Sequence, residues 1–198
     1  MVKAMKNIKS YARLFWKLFV SEMVIFKDDA FGEIINANIW AVSFIAVAGY
    51  LFPKLGMDET YGSFLAATAI TSCAFFEVWT AVTVFVADIC GRKSISYQFT
   101  LPLPTWLIFI KNSCVYATWS MVVTIVILPL GKLILLDRFD LSKLCVIKFI
   151  TMFFMMNFFI GIFAVFVSSL VKTSRCIGTV WMRIIFPMWV LSGSQVPW

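Results

Sequence analysis

The sequence predicts an all-α integral membrane protein with an N-terminal interfacial amphipathic helix, five membrane segments and a short cytoplasmic helix between the second and third. Three observations predict it. First, 62% of the 198 residues are hydrophobic and only 14% are charged. Soluble domains run at roughly 45–50% apolar and about 25% charged, so the apolar surplus here must face lipid. Second, the apolar residues fall in runs close to the ~20 residues that a helix needs to cross a bilayer. Third, Lys and Arg are distributed unevenly between alternate loops, as orientation in a membrane demands.

Composition also removes chemistries. The absence of His excludes histidine metal sites and His-based acid, base or triad catalysis. Five Cys without a C-x-x-C pair give no zinc site and no disulfide framework. No catalytic residue and no metal ligand set is predicted. The net charge of +7 is read as cytoplasmic loops facing anionic headgroups, not as a nucleic-acid surface.

Residues 1–27 interleave charge with apolar residues, unlike a cleaved signal peptide with its unbroken apolar core. Wound as a helix, Lys3, Lys6, Lys9, Arg13 and Lys17 fall within an arc of roughly 120°, opposite Ile8, Tyr11, Leu14, Phe15, Leu18 and Phe19. Such a helix lies in the headgroup plane. Asp28, Asp29, Gly32 and Glu33 are read as a break before the first span.

The spans are residues 34–52, closed by Pro53 and Gly56; 61–87, interrupted only by Glu77; 106–130, ended by Pro129-Leu130-Gly131 although Leu133 to Leu136 prolongs the apolar run; 144–171; and 176–191. A polar stretch, 88–105, joins the second to the third. In the last segment Pro187, Ser192-Gly193 and Pro197 come so close together that a broken, partly re-entrant helix is predicted. With the N-terminus in the cytoplasm, twelve of the seventeen Lys and Arg lie inside, which fixes that orientation and puts the 88–105 loop on the cytoplasmic face.

Between Gly91 and Pro102 there is room for two to three helical turns. Gly91 releases the preceding helix and Pro102 stops the next. Ile95, Phe99 and Leu101 give this segment an apolar side, and Arg92, Lys93, Ser96 and Gln98 a polar one. Two readings stand: a stiff peg that docks into a soluble partner, or a connection lying on the bilayer.

At this point the chain resembles the ABC-2 family of exporter permeases, the membrane halves of ATP-driven transporters. The resemblance rests on the order of an interfacial helix, two spans and a cytoplasmic helix ending in Thr100-Leu101-Pro102-Leu103-Pro104. It rests also on Lys111 early in the next span, and on Phe186-Pro187 followed by Ser192-Gly193 and Pro197. It covers essentially the whole chain. Many members enter the coupling helix through an acidic-Arg pair and Gly-Thr; here Asp88 has no adjacent Arg, and Arg92-Lys93 follow Gly91.

The resemblance implies a coupling helix that meets the ATPase subunit through Gly91, Arg92, Lys93, Ile95, Tyr97, Phe99 and Pro102. It also implies a re-entrant motif at Pro187, Ser192, Gly193 and Pro197, and a sixth span beyond Trp198. The implied assembly is a homodimer or pseudo-dimer of permeases in the cell membrane, in contact with membrane lipid and bound to nucleotide-binding subunits. These would export a lipid-linked, glycan or drug-like substrate. The chain has no G-x-x-x-x-G-K-[ST], so ATP and Mg are expected on the partner and no cofactor on this chain. The alternatives are a lipid-modifying membrane enzyme, for which Asp137, Arg138 and Asp140 form the densest ionisable cluster, and a non-catalytic assembly protein.

Glu77 lies near the middle of the second span, where a carboxylate costs about 2.5–3.5 kcal/mol on insertion scales. It contacts a cationic group or carries a proton, or else it bonds a neighbouring Ser, Thr or Asn. Asn36, Asn38, Asn112 and Asn157 read as links between helices. The run from Met152 to Phe159 reads as a lipid-facing or packed surface, or as an adaptable apolar pathway. Trp16 is assigned to the inner aromatic belt, and Trp189 and Trp198 to the outer one.

Overall fold

A computed structural model describes residues 8–56, 60–100, 103–136, 145–171 and 173–193, and among these there is no strand. The helices are α1 (Ile8–Ala46), α2 (Phe52–Lys54), α3 (Thr60–Ala87), α4 (Ser94–Thr100), α5 (Thr105–Thr124), α6 (Ile127–Leu135), α7 (Val146–Leu170), α8 (Ile177–Val180) and α9 (Phe186–Leu191). Among the described residues four stretches are long and apolar enough to cross a membrane: Ala30–Lys54, Phe64–Ala87, Thr105–Leu135 and Val146–Leu170. The predicted all-helical membrane architecture is thus present at this level. The cluster of Asp137, Arg138 and Asp140, together with Pro102, Pro197 and Trp198, lies outside the described residues.

The predicted break at 28–33 is absent: α1 runs unbroken for 39 residues. Gly inside a helix costs only about 1 kcal/mol, and Asp and Glu are helix-compatible, so this polar stretch does not end the helix, and residues 8–27 continue into the first span instead of forming the predicted separate interfacial helix. Arg13, Lys17 and Lys27 are exposed while Leu14, Phe15, Leu18 and Phe19 are partly covered, the division that the helical spacing requires. Trp16 is exposed.

Three prolines read as stops or breaks are carried within helical paths. A proline cannot donate to the carbonyl four residues before it, and in each case the backbone departs from α geometry around that carbonyl. A π-helical turn, Val47–Leu51, precedes Pro53. A turn at Ile125 and Val126 precedes Pro129, and α6 continues to Leu135, so the third span outlasts its predicted end at residue 130. A second π turn, Trp181–Ile185, precedes Pro187. The last apolar stretch, Ile177–Leu191, is therefore one short path that ends at Gly193 (φ 72°) and does not break at Pro187.

α5 and α7 pack tightest. Gly161 faces the backbone of Ser113 and Ala117, where even one added carbon would collide. The Ser120 hydroxyl donates to Asn157 Oδ1 at 2.6 Å, so Asn157 is the predicted link between helices. Asn38 instead bonds its own helix, through Ile34 O. α1 runs parallel to α5–α6: Phe26 meets Tyr116 and Trp119, and Tyr50 donates to Ile134 O at 2.6 Å. Within the Phe/Met run Phe153 and Asn157 are buried, while Met152, Phe154, Met155, Phe158 and Phe159 face outward. Trp189 is not an outlying belt residue; it packs on Trp40 and Phe76 among the helices.

Candidate functional site

The loop after α3 is ordered by its own polar groups. α3 passes into a π turn, Asp88–Arg92, and Lys93 takes the left-handed conformation (φ 56°) that reverses the chain. The reversal falls on Lys93 and not on the predicted Gly91, which lies inside the π turn. Asp88 Oδ2 then accepts the Ile95 N–H at 2.7 Å. It satisfies one of the backbone donors that the start of a helix leaves open. The outcome is a seven-residue helix, α4, held at a fixed angle to α3.

α4 divides the predicted residues. Ile95 and Gln98 are buried; Lys93, Ser96, Tyr97 and Phe99 are exposed, Tyr97 by 66%. Gln98 Nε2 donates to Glu22 Oε1 at 2.8 Å, and Lys111 Nζ meets the same oxygen at 2.8 Å. Lys111 is 1% exposed, so its ammonium depends on this partner. One carboxylate therefore ties α1, α4 and α5 together, and the Phe99 ring lies 6.0 Å from Phe109. Beside this junction is a cavity of about 370 Å³ lined by Glu22, Phe26, Asp88, Ile95, Asn112 and Tyr116. The Arg92 side chain, like Pro102, lies outside the described residues.

No family model, curated protein or solved structure matches this chain.

Sequence reasoning missed Glu22. The signal was present: it is the sole acid among the first 27 residues, and Lys111 sits in an apolar run that offers it no nearby carboxylate.

The second site lies within the bundle. Glu77 is 6% exposed, beside the Trp119 indole and facing Glu33, and its Oε2 has no hydrogen-bond partner among the described residues. A cavity of about 210 Å³ between α1 and α3 is lined by Glu33, Asn36, Trp40, Phe76, Glu77 and Trp79, among others. Of the predicted re-entrant residues, Pro187 sits in the first turn of α9, and Ser192, whose hydroxyl donates to Trp189 O at 2.7 Å, ends it with Gly193. Among the described residues no group of three His, Cys, Asp or Glu comes together.

Proposed function

We propose that this chain is the membrane subunit of an ABC-2 type exporter. It would move a lipid-linked, glycan or drug-like substrate out of the cytoplasm, using ATP hydrolysed with Mg on a separate nucleotide-binding subunit. The observation that carries this reading is the double character of α4. Its inner side is pinned to α1 and α5 through Gln98, Glu22 and Lys111, and its outer side offers Tyr97 and Phe99. A helix tied by Gln98 to the carboxylate that joins α1 and α5 passes a push to the spans instead of absorbing it. The lysine and arginine asymmetry supports a cytoplasmic α4 and N-terminus.

On this reading the partner closes on ATP, displaces α4, and shifts the population between inward-open and outward-open or laterally open arrangements of two permease copies. Tyr97→Ala with Phe99→Ala tests it. Both side chains are exposed, so the variant should insert and remain monodisperse. It should lose at least about fivefold of substrate-stimulated ATPase activity when co-expressed with the P-loop ATPase recovered by pull-down. Full stimulation in that variant, or no ATPase recovered with the intact protein, refutes the reading. Ile95, which the resemblance implies as an ATPase contact, is 7% exposed and packs inward, so it belongs to the anchored side of α4.

A further inference from the structure

Three rings, Trp40, Phe76 and Trp79, line the cavity between α1 and α3, and they pack on one another or on Trp181 and Trp189 outside its lining. Trp40 and Phe76 meet edge to face with centroids 4.7 Å apart, and Phe76 packs on Trp181 at 5.4 Å and on Trp189 at 5.5 Å. Trp79 closes against Trp181 at 5.3 Å. Two carboxylates enter the same space. Glu33 lies one turn from the start of the first apolar stretch, and Glu77 faces it from α3. Among the described residues no lysine or arginine lines it. Glu77 lines this space, and its buried Oε2 has no hydrogen-bond partner among the described residues.

From this arrangement we infer that the α1–α3 cavity is a binding site for a compact organic ammonium cation of the quaternary, choline-like type. Ring faces attract such a cation, whose charge is spread and weakly hydrated, and a desolvated carboxylate supplies the matching charge. A hard divalent ion is a poor fit, since it takes six or more oxygen ligands and only Glu33, Asn36, Glu77 and Thr80 of the lining residues carry a side-chain oxygen. Size decides against a glycan or a large drug. The cavity holds about 210 Å³, below the roughly 300–1,000 Å³ of drug-sized sites. The inference goes beyond the exporter reading, and a binding measurement decides it without any ATPase partner.

The cation can come from a free ammonium solute or from a choline lipid headgroup. The experiment uses the full chain in phosphatidylglycerol nanodiscs with tritiated choline followed by scintillation proximity. Saturable binding is expected, displaced by tetramethylammonium and not by the neutral carbon isostere of choline. Glu77→Gln should weaken it at least about tenfold and Glu33→Gln, the less buried of the two, about threefold. Exchanging the nanodisc lipid for phosphatidylcholine separates the sources: a raised apparent Kd supports the headgroup, and an unchanged one supports the free solute. Absent saturable binding overturns the inference. So does equal displacement by the neutral isostere, or wild-type affinity in both Glu variants. Should Glu77→Gln fail to remain monodisperse, Glu33→Gln and Trp40→Leu carry the same test.

Discussion

Glu22 receives two donors on one oxygen, and one of them is an ammonium that has almost left solvent. Removing the carboxylate strands that charge. Glu22→Gln should destabilise the protein by about 3–5 kcal/mol, the usual penalty for breaking a buried pair from one side. Lys111→Met removes the charge and keeps its volume, so it should cost far less. The double variant should regain most of the loss. Thermal melts of the detergent-solubilised protein measure all three, and a wild-type melt for Glu22→Gln would show that Lys111 does not need it. The junction was half legible in the sequence. A lysine early in the third span was visible at position 111, whereas its burial and its partner 89 residues earlier were not, since local spacing does not encode that pairing.

Between elements, the α5–α7 contact is set by small residues that let backbones approach. Gly161→Ala places a methyl group against the Ser113 carbonyl and the Ala117 backbone, neither of which can swing aside. The expected cost is about 1–3 kcal/mol. Gly32→Ala is the control: its added carbon meets open space in mid-helix, and a gain of roughly 0.5–1 kcal/mol is expected. Comparing their melting temperatures checks both, and equal shifts would remove the packing explanation. The helices themselves were legible from apolar run length, but their ends were not. Pro129 and Pro187 read as a stop and a break because a lost hydrogen bond favours an end where water can replace it. In an apolar bundle an end exposes several backbone groups, so a local π turn or kink is the lesser cost.

For the whole molecule, orientation has a native reporter. Cys145 and Cys176 are both exposed and flank α7, so the proposed topology puts them on opposite sides of the membrane. With Cys90 replaced by Ser, a membrane-impermeant maleimide applied to intact cells should modify Cys145 and spare Cys176, and permeabilisation should reverse the protection. Labelling of Cys176 alone in intact cells would invert the topology and remove α4 from the cytoplasm. The charge asymmetry was legible in the sequence. The length of the first helix was not, because the polar residues 28–33 resembled a boundary. That length has a mechanical corollary. From Ile8 to Lys54 the helical path is continuous, a rod of about 70 Å at 1.5 Å per residue. Its first 39 residues contain no joint to isolate one half from the other. Rocking it by about 5° around its midpoint would carry each tip roughly 3 Å, in opposite directions. Like a seesaw, it would report any disturbance near Lys17 at Tyr50 with the sign reversed.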